Sequence, residues 1–96
     1  MDRGDEVMRI EYERKALKFL AKLDKALAND IREAIGGLTE TPPRGDIKPL
    51  SGYSDGRKRL RHGKYRIIFR YDGKGQGITV LLIMNIGSRG DIYKEG

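Results

Sequence analysis

The spacing of apolar residues changes along the chain, and each change marks an element. From Val7 to Tyr12, Ile10 and Tyr12 alternate with Arg9 and Glu11, which predicts a short strand with one apolar face. From Glu13 to Leu23 the spacing becomes helical. Ala16, Leu17, Phe19, Leu20 and Leu23 form a stripe, and Arg14, Lys15, Lys18 and Lys22 point away from it. Asp24 interrupts this helix and is placed to cap the next, since its carboxylate can accept the free N–H groups of a first turn. A second helix is expected from Lys25 to about Leu38, with Leu27, Ile31, Ile35 and Leu38 as its stripe. Gly36-Gly37 weakens its end and Thr41-Pro42-Pro43 stops it. With so short a break, the two helices should form an antiparallel hairpin.

Residues 39–56 read as a loop punctuated by Pro42, Pro43, Gly45, Pro49, Gly52 and Gly56. Beyond them a period of two returns. Arg57, Arg59 and Arg61 alternate with Lys58 and Leu60, and Tyr65, Ile67, Phe69 and Tyr71 alternate with Arg66, Ile68 and Arg70. His62-Gly63-Lys64 is the expected turn between these two strands. One face of the hairpin should therefore carry rings and aliphatic groups, and the other arginines. Asp72 to Gly77 reads as the next turn, and Ile78 to Ile86 as a strand buried on both faces at the centre of the sheet. The tail from Gly87 to Gly96 is irregular and polar. The expected fold class is α+β in the order β-α-α-β-β-β. The N-terminal strand and an antiparallel helical hairpin precede a three-stranded antiparallel meander, with the helices on one sheet face.

Ninety-six residues with 38% hydrophobic content imply one domain with a modest core. There is no internal repeat. Residues 1–7 read as a flexible extension and 8–96 as the domain, Met8 being an equally good start to the folded unit. No cysteine is present, so disulfides and thiolate metal sites are excluded, and a reducing cytoplasm is the expected compartment. His62 is the single histidine, so one chain cannot build a multi-histidine metal site. No apolar run approaches the roughly 20 residues of a membrane span, and the polar start is unlike a signal peptide. Net charge is +6. Residues 44–71 hold nine cationic residues (Arg44, Lys48, Arg57, Lys58, Arg59, Arg61, Lys64, Arg66 and Arg70) against Asp46 and Asp55, so this segment alone exceeds the whole-chain value. Such concentration points to a polyanionic partner: nucleic acid, an anionic membrane or an acidic protein.

No phosphate loop, nucleophile elbow or metal-spaced histidine set occurs. Gly73, Gly75 and Gly77 do not lead into a helix and read as turn glycines. The chemistry left is a set of cations and a phenol: Arg57, Arg59, Arg66, Arg89 and Tyr93. These suit RNA cleavage by the adjacent 2′-hydroxyl, because guanidinium groups can clamp the phosphate and stabilise the phosphorane, and a ring can stack on a splayed base. Non-catalytic phosphate binding fits the same residues equally well. His62 is a possible general base, but at a hairpin tip a solvated turn residue is the simpler reading. Tyr12, Tyr65 and Tyr71 point toward the core. Tyr53, in a Gly-rich loop, either packs beneath it or faces a partner.

Four segments in order then resemble the RelE/ParE family of type II toxins over roughly residues 8–94. They are Met8 to Leu20, as first strand and helix with Ala16-Leu17-Lys18, and Asp46-Ile47-Lys48-Pro49-Leu50-Ser51-Gly52, as the Lys-x-Leu-x-Gly loop. Gly63-Lys64-Tyr65-Arg66-Ile67-Ile68-Phe69 follows as the Gly-x-Tyr-Arg strand, and Ile86-Gly87-Ser88-Arg89-Gly90-Asp91-Ile92-Tyr93 as the closing segment. The resemblance implies a cognate antitoxin that wraps and neutralises the toxin. It also implies mRNA cleavage in the ribosomal A site for RelE-like members, or poisoning of DNA gyrase for ParE-like ones. A third outcome is an inactive relative that only binds antitoxin or DNA. On the RelE-like reading, no metal or small-molecule cofactor is required. Arg59, Arg66, Arg89 and Tyr93 become the candidate catalytic residues, and Lys48, Arg57, Arg59, Arg61 and Lys64 the phosphate contacts. Arg57 and Arg59 fall where well-known RelE toxins carry lysines. Arginine stays protonated, so Arg59 cannot serve as a base. The expected division has Arg57, Arg59 and Arg66 holding the phosphate, Arg89 stabilising developing charge and Tyr93 as base. Ser88 stands where relatives often carry histidine, which narrows the acid–base options further.

Overall fold

The structure, a computed structural model, describes residues 7–75 and 77–88. Strand β1 (Val7–Tyr12) leads through Glu13 into helix α1 (Arg14–Lys22). Helix α2 (Lys25–Gly36) follows, and Asp24 caps it as expected, its Oδ1 accepting the Leu27 N–H at 3.0 Å. A 3₁₀ turn (Gly37–Thr39) closes the helical segment. Four strands complete the described residues: β2 (Asp46–Pro49), β3 (Lys58–His62), β4 (Tyr65–Gly75) and β5 (Ile78–Ser88).

The sheet has five strands in the order β1-β5-β4-β3-β2. β1 runs parallel to β5, while β2, β3, β4 and β5 pair antiparallel in succession. The α+β architecture agrees with the expectation, and three details differ. The segment read as loop contains β2, which extends the meander to four strands. β2 has four residues, ends in proline and is largely exposed, so it carries no apolar alternation for a pattern to reveal. The middle strand is β4 rather than β5, which lies between β1 and β4. The turn expected over Asp72–Gly77 is mostly strand, since β4 continues to Gly75, with a register irregularity between Gly73 and Gly75.

Residues directly opposite on paired strands share a face. The register therefore puts Leu60, Ile67 and Ile86 on one face with Phe69, Ile83, Tyr71 and Leu81. Both helices cover this face. Ala16 and Leu20 from α1, and Ile31 and Ile35 from α2, join Leu38 and those strand residues in one buried cluster. The Tyr71 hydroxyl donates to the Leu38 carbonyl at 2.7 Å and ties the sheet to the end of the helical segment. Leu17 and Leu27, both expected in the core stripe, stand exposed. Each lies at the margin of its helix's apolar arc, outside the part the sheet covers. No helix among the described residues is long and apolar enough to cross a membrane.

Candidate nucleic-acid interface

The second sheet face holds no helix among the described residues, and its side chains follow from the same register. Arg61 opposes Arg66, which opposes Gly87, and Arg59 opposes Ile68, which opposes Asn85. Lys48 of β2 opposes Arg59, and Asp46 opposes Arg61. Arg70 opposes Leu82. A register shift between Ile68 and Phe69 accommodates Met84 as the extra residue of β5, so inward and outward positions stay in phase on both sides of it. The predicted separation of rings from arginines is thus realised in three dimensions.

The arginines are held in different ways. Arg66 is buried at 8% exposure, and its Nη1 donates to the carbonyls of Tyr65 (3.2 Å) and Gly63 (3.4 Å). It has no carboxylate partner among the described residues. Its partner across β5 is Gly87, which adds no side chain beside it. The Arg59 side chain is only 11% exposed and its Nη2 sits 3.7 Å from Asp46 Oδ1. Arg61 reaches the other oxygen of Asp46 with Nε at 3.1 Å. Arg57, just before β3, makes a two-pronged pair with Asp55, Nε at 3.1 Å from Oδ1 and Nη2 at 2.8 Å from Oδ2. Its guanidinium carbon also lies 4.1 Å from the centre of the Tyr53 ring. Hydrogen bonding from Arg57 holds the Asp55 carboxyl down at about 2, below the usual 3.8. The two acidic residues of the basic segment therefore both serve its arginines.

The structure gathers the expected residues selectively. Arg59, Arg61 and Arg66 share this face by register, Lys48 stands beside Arg59 at its edge, and Arg57 lies just before β3. Lys64 leaves the group, its ammonium lying 5.5 Å from the centre of the Tyr65 ring on the helix side. His62 is not a free turn residue. It shares the helix face with Tyr65, and its Nε2 lies 2.9 Å from Asp30 Oδ2 of α2. That position turns the imidazole away from the arginine face and removes it as a base there. Arg89 and Tyr93 lie outside the described residues. Tyr53, which its sequence context allows either to pack or to face a partner, is exposed, with its ring against Arg57. The spacing Tyr53–Asp55–Arg57 was the available signal, but loop residues two apart have no fixed mutual geometry until the loop is built. No group of side chains suited to holding a metal occurs among the described residues.

This fold is similar to solved toxin structures. It matches the RelBE2 toxin–antitoxin complex from Mycobacterium tuberculosis at TM-score 0.65 and 23% identity, covering 84% of this chain and 96% of that one. It matches the RelB–RelE antitoxin–toxin complex from Methanococcus jannaschii at TM-score 0.65 and 21% identity, covering 88% and 95%. The isolated RelE toxin of E. coli is similar at TM-score 0.62 and 22% identity, over 93% and 94%. No curated protein sequence is recognisably similar to the chain. The sequence model described as the ParE toxin of the type II toxin–antitoxin system parDE matches residues 10–93. With most of its length matched by that family, and with the RelE toxin fold, the chain belongs to the RelE/ParE toxins of type II toxin–antitoxin systems.

Proposed function

We propose that this toxin is a ribosome-dependent mRNA endoribonuclease that inhibits translation in the cytoplasm and is neutralised by a cognate antitoxin. The observation that carries the reading is Arg66: a guanidinium laid on the sheet, without a carboxylate partner among the described residues, in a row with Arg59 and Arg61. A scissile phosphate placed there meets fixed donors that need little reorganisation as charge develops.

The chemistry requires no metal or cofactor. The 2′-oxygen forms a bond to phosphorus as its proton passes to a base. The bond to the 5′-oxygen then breaks as that oxygen gains a proton, leaving a 2′,3′-cyclic phosphate and a 5′-hydroxyl. Arg66 and Arg59 hold the non-bridging oxygens, helped by Lys48 and Arg61, and Arg57 contributes charge at the end of the row. Arg59 cannot take the proton, because arginine remains cationic. Tyr93 is the proposed base and Arg89 the group that stabilises the phosphorane or the leaving oxygen. The antitoxin partner is supported by the RelB–RelE complexes that share the fold.

The test is primer extension on an mRNA translated in a purified system, with wild type and with Arg66→Ala. Cuts that need ribosomes and disappear in the variant are expected. The ParE description of the matching family favours a second reading, a DNA gyrase poison without nuclease chemistry. A folded, antitoxin-free and toxic protein that makes no cuts selects that reading.

A further inference from the structure

The open face does not end at Arg57. Antiparallel pairing of β3 with β4 ends at Lys58 and Phe69, and Arg57 and Arg70 are the next residue beyond that pair on each chain segment. The Asp55 carboxylate feels the charge of both arginines. Above them the loop between β2 and β3 returns through the Leu50 N–H to Arg57 carbonyl bond at 3.2 Å, and it presents Tyr53. One face of that ring rests on Arg57, yet the residue is 53% exposed. Arg57 itself cannot swing away easily, because Asp55 grips it with two side-chain bonds and also accepts its backbone N–H at 3.2 Å. The ring is thus backed by a held cation, while about half of the residue stays open to solvent. Arg70 is also underused. Its Nη2 is 3.8 Å from Asp72, and its Nε is buried without a hydrogen-bond partner.

From this arrangement we propose a nucleotide subsite at the Tyr53 end of the face, in which the Tyr53 ring stacks on an unpaired base of the RNA and Arg70 takes a flanking phosphate. It rests on the RNA-binding reading above and adds a second point of attachment to it. An aromatic platform suits a single strand because every base has a π-face, and a positive groove beside it tracks the backbone. Stacking on Tyr53 at one end and phosphate contacts at Arg59 and Arg66 at the other would set where along the strand the scissile phosphate falls. The loop also suits this role energetically. Asp55 and Arg57 order the platform before RNA arrives, so less freedom is lost on binding.

The probe is a short single-stranded RNA carrying 2-aminopurine, titrated into the whole, antitoxin-free protein at several salt concentrations. Wild type should quench the fluorescence as the base stacks. Tyr53→Ala should lose the quenching and roughly 5- to 150-fold in affinity, the range for one base–aromatic stack. It should leave the salt slope unchanged, and Tyr53→Phe should restore both signals. Arg70→Gln should lower the slope by roughly 0.7, one phosphate contact on a single strand. If Arg66→Ala weakens binding while Tyr53→Ala changes neither affinity nor quenching, the subsite is wrong and the RNA reading stands. If the wild-type protein does not bind the RNA, the subsite is wrong, and ribosome-dependent cutting in the primer-extension test decides the nuclease reading by itself. If Arg59→Ala and Arg66→Ala leave the affinity untouched, the arginine face is not where this RNA binds and the subsite is wrong with it. An unchanged slope in Arg70→Gln removes the phosphate contact from the proposal.

Discussion

Arg61 and Arg66 stand directly opposite each other on β3 and β4, two like charges on one face of the sheet. Such pairs repel, and the fold separates their loyalties: Arg61 turns outward to Asp46 and Arg66 lies back on the carbonyls of Gly63 and Tyr65. Asp46 also lies near Arg59, so one carboxylate balances two guanidiniums. Asp46→Asn should therefore strengthen RNA binding and steepen its salt dependence, while costing no more than about 1 kcal/mol of stability, as expected for a partly exposed ion pair. Filter binding across a salt series, with urea denaturation alongside, reads both. Weaker binding would mean that Asp46 positions the arginines more than it screens them.

Asp55 offers a pH signature. Hydrogen bonding from the Arg57 side chain depresses its carboxyl in the folded state to about 2. The pair's contribution is complete above the unfolded value near 4 and is lost as pH falls through about 2. Between those limits Asp55 should remain ionised in the folded protein. Arg57→Ala should return its titration, followed by carbon NMR, toward 3.8. An unmoved midpoint would show that Arg57 is not its partner in solution.

His62 contacts Asp30 of α2 on the helix face of the sheet, away from the arginines. His62→Asn should leave the cleavage rate within about twofold of wild type, whereas loss of a general base costs roughly 10² to 10⁴. Asp30→Asn should reduce stability by at most about 1 kcal/mol, since both partners are part exposed.

Tyr93 carries the base assignment because arginine cannot. Tyr93→Phe should slow single-turnover cleavage on the ribosome by roughly 10² to 10⁴. A loss under about tenfold leaves the ring with a stacking role only. Removal of residues 89–96 should abolish cuts altogether.

Gly45 is the most constrained position bordering the β2 edge. Its φ is +122°, and a Cβ there would lie 2.5 Å from Leu60 Cδ1 in the buried core. Gly45→Ala should cost about 1–3 kcal/mol, seen as a lower urea midpoint with an unchanged slope. A silent substitution would mean that the β2 edge shifts freely.

The fold was legible where a local period decides it. Helical spacing from Ala16 to Leu38 and strict alternation from Arg57 to Tyr71 specify the helices, the hairpin and the segregation of rings from arginines, because side-chain direction follows backbone period directly. The Asp24 cap was readable for the same reason: its partner is three residues away. What the chain could not declare alone are relations between distant residues. β2 exists because β3 offers it a partner edge, Leu17 and Leu27 are exposed because the sheet covers only part of the helical stripe, and His62 meets Asp30 only once the hairpin tip reaches α2. The arginines themselves were visible in sequence. Their separate partners, with Asp46 shared, Asp55 clasping Arg57 under Tyr53 and Arg66 resting on carbonyls, were decided by strand register and loop closure, which only the tertiary structure sets.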